Sequence, residues 1–312
     1  MDVDVVIPVF NGAEFVAEAI DSVLAQTVSP HKILVVDDCS TDGTPAVLQR
    51  FGDRIKVIRH DKNRGLPASR NTGIRETESE LIAFLDADDA WLPLKLEKQL
   101  AEFRENPEVG LCYTDIIECD FKLSPRNDGR KFRRRKAEHV FEELYLSAFP
   151  IPPSTVMVRR EVFDVCGMFD ETMLKAQDYE CWLRIAMKYA ISCIDQPLCF
   201  RRDNPASITN MAGMEKHMYY SFRAFELCEK AAKENKIRLP MTVTERKRLF
   251  LYRSCCEAIK WGQAKNAAFF LQKIEDMGGL GIGRKLSLLT LKWLQGMKAK
   301  ARSAFLSRNK SR

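Results

Sequence analysis

The chain has 312 residues, 46% of them apolar and 29% charged, with a formal net charge of +6. That length allows one large core with a smaller domain, and the composition is that expected of a soluble globular protein. The mild net charge argues against nucleic acid as a partner for the whole chain, but its distribution is uneven. No Asp or Glu follows Asp276, while residues 284–312 hold nine Lys or Arg, which points to a local anionic surface. The ten cysteines include no Cys-x-x-Cys pair and fit a reducing compartment. The start, MDVDVVIPVF, is acidic and enters a strand at once, so no signal peptide is expected. No run reaches the roughly 18 uncharged apolar residues of a spanning helix. The expected location is cytoplasmic.

In chain order, Val3 to Val9 reads as a buried strand with Pro8 near its end, where the missing N–H is tolerated. Asn11 with Glu14 has capping-box spacing and predicts a helix with Phe15, Ala19, Ile20, Val23 and Leu24 on one face. Lys32 to Val36 is a second strand, ending in Asp37 and Asp38, and Asp42-Gly43 turns the chain into a short helix. Ile55 to Ile58, a helix over Ala68 to Thr77, and Leu81 to Leu85 follow. This alternation predicts an α/β domain with a mostly parallel sheet flanked by helices. Further strands are predicted at Val109 to Thr114, Ser154 to Val158 and Ile191 to Phe200, with helices after Pro93 and over Asp178 to Tyr189. The stretch 126–136 packs seven basic residues into eleven positions and reads as a solvated loop. From about Asn204 the pattern is helical. The expected organisation is therefore residues 1–204 as the catalytic-type domain, with 205–312 as a C-terminal helical region.

Acidic residues end two of the predicted strands, at Asp37-Asp38 and at Asp86, Asp88 and Asp89. In an open parallel sheet such ends share one rim, where ligands bind. Crowded carboxylates suit a hard cation such as Mg²⁺ or Mn²⁺. Between the two clusters lie Lys62-Asn63-Arg64-Gly65 and Ser69-Arg70-Asn71-Thr72-Gly73, offering cations and a helix start for a phosphate. A nucleotide diphosphate with a metal would use all of these.

Six pieces in order carry a resemblance: Ile7-Pro8-Val9-Phe10-Asn11, Val35 to Thr44, Arg70-Asn71-Thr72-Gly73-Ile74, Asp86-Ala87-Asp88-Asp89, Val158-Arg159-Arg160 with Gly167-Met168-Phe169-Asp170, and Gln177 to Arg184. Together they resemble the family 2 glycosyltransferases over about residues 2–205. The resemblance implies the GT-A fold, a nucleotide-sugar donor, a divalent metal and inversion at the anomeric carbon. Within the fold, residues 1–115 would bind the donor and 116–204 would form the acceptor side. Asp38 and Pro8 would meet the base, with Arg70 also on the donor side. Asp86 would approach the ribose or metal shell, and Asp88 would bind the metal on the diphosphate. Asp89 and His217 are further metal candidates. Asp178 matches the general base; the residue before it, usually Glu, is here Gln177. As an alternative, Asp178 would simply cap its helix.

In the C-terminal segment, Leu286, Leu289, Trp293 and Met297 lie three or four apart among Lys285, Lys292, Lys298, Lys300 and Arg302. Residues 284–312 thus read either as an amphipathic helix for an anionic membrane surface or as a packing stripe. The expected function is a metal-dependent inverting glycosyltransferase. It would move a sugar from a nucleotide sugar, with a leaning to UDP, to a glycan or lipid-linked saccharide in surface polysaccharide biosynthesis. A non-catalytic nucleotide-sugar-binding protein would not need Asp178. A nucleotidyltransferase would carry a Gly-rich, cationic phosphate loop after the first strand, where Phe10-Asn11-Gly12-Ala13-Glu14 stands instead.

Overall fold

A computed structural model describes residues 1–126, 140–147, 151–204, 213–260 and 262–279. Nearly all of the basic stretch 126–136 and the whole of 284–312 lie outside the described residues. The chain divides into two compact units, Met1–Pro240 and Met241–Arg312.

The first unit is built on an eight-stranded mixed sheet in the order β3-β2-β1-β4-β7-β6-β8-β5. β1 (Val3–Val9), β2 (Lys32–Asp37), β3 (Lys56–Arg59) and β4 (Leu81–Phe84) form a parallel half, with β1 between β2 and β4. Every residue of β1 is buried, as expected of a central strand covered on both faces. The other half contains β5 (Ala90–Trp91), β6 (Val109–Cys119), β7 (Val156–Arg159) and β8 (Ala190–Arg202). There β7 runs antiparallel to both β4 and β6, β5 antiparallel to β8, and β6 parallel to β8. β6 and β8 both run past their predicted ends, with register shifts near Thr114–Ile116.

Alternation along β1 sorts the helices between two faces. Val3, Val5, Ile7 and Val9 join a core with Ala19, Ile20 and Val23 of α1 (Val16–Leu24) and Leu96, Leu100 and Phe103 of α4 (Lys95–Glu105). α2 (Thr44–Gln49) lies beside α1. On the opposite face Val6 meets α3 (Leu66–Glu76) so closely that a Cβ on Gly73 would fall 2.3 Å from Val6 Cγ1. Phe84 packs on that face against Phe163 and Phe169. The first of these belongs to α6 (Glu161–Cys166), and Phe169 packs in turn on Trp182 of α7 (Gln177–Ala186). α5 (Val140–Ser147) and α8 (Met214–Glu234) also pack on α7.

The predicted Asn11–Glu14 capping box does not form. Asn11 takes a left-handed φ of 51°, and its Oδ1 accepts from the Thr41 N–H at 2.8 Å, so α1 starts only at Val16. In the second unit, Thr242 and Glu245 do form a reciprocal capping box before α9 (Val243–Lys260). α9 packs with α10 (Ala264–Asp276) through Leu251, Cys255 and Ile259 on one side and Phe270 and Ile274 on the other. No described helix is long and apolar enough to cross a membrane.

Candidate active site

The chain order of the strands reverses around β1, whose neighbours are β2 and β4, and the crevice at such a reversal is where open α/β sheets bind ligands. Pairing between β1 and β4 ends at Val6, where the Leu85 N–H donates to the Val6 carbonyl. Pro8 lies beyond that last rung, where its missing N–H leaves no gap in the β4 ladder. It still pairs in register with Val36 of β2.

At the end of β2, both carboxylates are buried and fully engaged. Asp37 accepts from the Ser40 N–H at 2.9 Å and from Arg59 Nη1 at 2.8 Å. Asp38 accepts from His60 Nδ1 at 2.7 Å, the Arg64 N–H at 2.8 Å and the Gly65 N–H at 2.7 Å. His60 Nε2 in turn lies 2.9 Å from Thr72 Oγ1. Asp38 thus ties β2 to the loop that opens α3, at a Gly65 whose φ of 88° admits that turn. Next to it, Cys39 has φ 63°, a conformation that favours Gly. Burial would raise the Asp42 carboxyl, but the Thr44 hydroxyl, the Thr44 amide and the Ala13 amide outweigh it and lower its pKa.

The acidic turn after β4 is arranged differently. Asp89 is buried, its Oδ2 accepting from Ser154 Oγ at 2.5 Å and its Oδ1 from the Arg202 N–H at 3.0 Å. Burial, then the charges of Asp88 and Asp86, hold its pKa well above the ordinary range. Asp89 therefore fastens the turn to β8 and the residues before β7. Arg202 reinforces this by donating to the Asp88 carbonyl at 2.7 Å and pairing with Glu18, so it faces inward. Arg201 pairs instead with Glu118 at 3.2 Å. Asp86 and Asp88 remain half-buried at the rim. Asp86 accepts from Arg70 at 2.5 Å, and Asp88 from Asn204 Nδ2 at 3.0 Å. Burial and then the Asp86 charge push the Asp88 pKa up.

Asp178 lies in the first turn of α7, not at its cap. The cap residue is Ala176, held in the left-handed region at φ 54° with no side-chain cap bond. The Asp178 carboxyl is raised by burial and by the Asp86 charge, against the Arg70 charge and the Tyr179 amide. The structure thus joins Arg70 to Asp86, and the Asp86 charge acts on both Asp88 and Asp178. On α8, the His217 pKa is depressed by desolvation and then by the Lys175 cation. No three His, Cys, Asp or Glu side chains among the described residues form a metal-binding group. Of the further candidates read from the sequence, Asp89 is taken up by Ser154 and the Arg202 amide, and His217 lies on α8. Two repelling carboxylates still fit a divalent cation whose other ligands are diphosphate oxygens and water. His60, Ser154 and Asn204 were missed by sequence reasoning. Their partners lie 22, 65 and 116 residues away, so no local signal marks them.

Comparison with known proteins agrees with this architecture. A solved structure of TarS from S. aureus (residues 1–349) with UDP-GlcNAc matches at TM-score 0.61 and 18% identity, covering 81% of this chain and 71% of that one. Mannosyltransferase PcManGT from Pyrobaculum calidifontis, in complex with GDP-Man and Mn²⁺, matches at TM-score 0.59 and 19% identity, covering 96% and 82%. These likenesses support the expected GT-A fold. By sequence, an uncharacterized glycosyltransferase of Rickettsia typhi is 30% identical over 218 residues, 67% of this chain and 66% of its own length. A Bacillus subtilis protein named for teichuronic acid biosynthesis, TuaG, is 39% identical over 115 residues, 36% of this chain and 45% of that protein. The chain thus spans just under two thirds or less of the length of these relatives. The model of glycosyl transferase family 2 matches residues 4–167, just over half of the chain, and the chain belongs to that family.

Proposed function

We propose that the protein is a metal-dependent inverting glycosyltransferase that takes a sugar from a nucleotide sugar, with UDP as the favoured nucleotide. The acceptor is a glycan or lipid-linked saccharide of a surface polysaccharide. One observation carries the reading: the half-buried Asp86 and Asp88 share one turn at the rim, Asp86 is held by Arg70 at 2.5 Å, and the Asp86 charge raises the pKa of both Asp88 and Asp178. The cation-binding and proton-accepting groups of a transferase would thus share one cleft. The relative named for teichuronic acid biosynthesis, and the nucleotide sugars bound by the two similar structures, support the substrate class.

In this reading Asp178 takes the proton of an acceptor hydroxyl as its oxygen attacks the anomeric carbon. The nucleoside diphosphate leaves from the opposite face, which inverts the centre. Asp88 and Asp86 would hold Mg²⁺ or Mn²⁺. The cation, when bound, stabilises charge on the leaving diphosphate. A carboxylate with a raised pKa is a stronger base once ionised, which suits a proton acceptor working near neutral pH. Pro8 and the Asp38 loop wall the base side of the crevice.

The test is a screen of nucleotide sugars with and without Mn²⁺, followed by Asp178→Asn. Base catalysis is worth about 10²- to 10⁴-fold, so the variant should turn over at least about a hundredfold more slowly with donor affinity retained. Because Asp178 is not the helix cap, its melting temperature should not fall. Normal turnover by Asp178→Asn would leave a donor-binding protein whose proton acceptor lies elsewhere.

A further inference from the structure

The acidic turn after β4 is closed by its own backbone, the Asp89 N–H donating to the Asp86 carbonyl at 3.0 Å. One side chain from far along the chain reaches both ends of that turn. Ser154 lies in a single 3-10 turn, Pro153–Thr155, just before β7. Its Oγ accepts from the Asp86 N–H at 3.1 Å and donates to Asp89 Oδ2 at 2.5 Å. A hydroxyl has one proton to give and lone pairs to accept with, so Ser154 commits its donor to one end and an acceptor site to the other. Only 1% of the residue is exposed, so solvent does not compete for either bond.

Ser154 is itself held. Trp91 Nε1, on β5, donates to the Ser154 carbonyl at 2.7 Å, and Gln99 Nε2, on α4, donates to the Thr155 carbonyl at 3.0 Å. Gln99 accepts in turn from Lys95 Nζ at 2.7 Å, and that nitrogen lies 3.9 Å from the centre of the Trp91 ring. Trp91, Lys95 and Gln99 are all buried. A hydroxyl on a backbone fixed at two successive carbonyls has little freedom to turn away from the acidic turn. The Asp86 and Asp88 carboxylates each accept one side-chain hydrogen bond, from Arg70 and Asn204. The rest of their direction is set by the backbone that carries them, and carboxylates bind a cation well only when held in place beforehand.

We propose that Ser154 is a positioning residue for the cation site. By tying the Asp86 amide and the Asp89 carboxylate to one rigid point, it turns those groups inward and fixes the rim from which Asp86 and Asp88 project. This rests on the reading of Asp86 and Asp88 as the cation's ligands.

The test uses the full chain and calorimetry, with UDP or GDP as probe, whichever the parent binds more tightly in Mn²⁺. The quantity read is the gain in nucleotide affinity on replacing EDTA by Mn²⁺. Loss of a group that orients metal ligands costs about 10- to 100-fold in metal affinity, so in Ser154→Ala the gain should shrink by that factor. Affinity in EDTA should be unchanged, because the Asp38 loop does not depend on Ser154. Thr155→Val is the control: its hydroxyl donates to the Pro152 carbonyl at 2.7 Å, so the variant disturbs the same segment without touching the acidic turn. It should melt lower than the parent yet keep the full Mn²⁺ gain. A full gain in Ser154→Ala, or an equal loss in Thr155→Val, would overturn the proposal. If Ser154→Ala does not fold, Ser154→Cys decides: it has nearly the same shape but a weak donor, and should lose part of the gain. A full gain there would overturn the proposal as well. The two levels of argument separate in the parent and in Asp88→Asn. If the parent shows no Mn²⁺ gain, the cation reading fails and this inference with it. If the parent gains and Asp88→Asn does not, while Ser154→Ala gains fully, only the role of Ser154 is lost.

Discussion

At the end of β2, Asp37 and Asp38 meet a donor on every carboxylate oxygen. At the end of β4, the Asp86 and Asp88 carboxylates each accept one side-chain hydrogen bond, and the Asp86 charge acts against both Asp88 and Asp178. The same residue type at the same kind of strand end therefore does two jobs. The first pair is neutralised by the protein and holds a loop in shape. The second set keeps fewer hydrogen-bond partners, which suits the cation-binding and proton-accepting roles proposed above. Satisfaction of hydrogen bonds, rather than acidity, is what separates the two sets.

The sharpest way to break this contrast is Asp88→Asn. It should reduce Mn²⁺-dependent nucleotide-sugar affinity by about a hundredfold or more, on the several-kcal/mol scale of a metal contact, as calorimetry would read. The amide oxygen can still accept from Asn204, so the unliganded variant should fold normally. Asp38→Asn should act the other way. It places an amide donor among three donors, costing about 1–3 kcal/mol of stability in a denaturant melt. If Asp38→Asn proved neutral for stability, the two rims would not differ as described.

A pH series sharpens the comparison further. The folded-state pKa values of Asp88, Asp89 and Asp178 are raised, so the folded protein binds those protons more tightly than the unfolded chain. Their stabilising contribution is full below the ordinary carboxyl value of 3.8 and is lost as pH rises through their raised values. Asp42, lowered, runs oppositely: its contribution is present above that value and lost on acidification. Unliganded Asp88→Asn should therefore melt above the parent near neutral pH, with the gap closing below about pH 4. A constant gap across pH would contradict the raised Asp88. The smallest effect belongs to Cys39→Gly, which relieves a left-handed φ worth about 1 kcal/mol and should raise the melting temperature slightly without altering donor affinity.

Much of the parallel half was legible because strands covered on both faces are apolar nearly throughout, as Val3–Val9 is apart from Asp4. The other half was less so. β5 is two residues long and exists because Ala90 and Trp91 pair with Phe200 and Cys199, more than a hundred positions later. Helix starts failed for the same reason: Asn11 had the right spacing for a local cap but was taken by Thr41, thirty positions away. In the site, Asp86, Asp88, Arg70 and Asp178 were readable as a constellation of types in order. Which carboxylates the fold would saturate depended on His60, Ser154 and Arg202, partners brought in by topology.

The left-handed Ala176 has a consequence for anyone engineering this protein. A stability-driven redesign would pick it early, since Gly there removes roughly 1–2 kcal/mol of backbone strain. Yet that residue sets the angle at which α7 leaves the loop, and Asp178 stands two positions on. Swapping in Gly would also widen the conformations open to the unfolded chain and to the helix start alike. A library selected for heat resistance and one selected for turnover should therefore part company at this position.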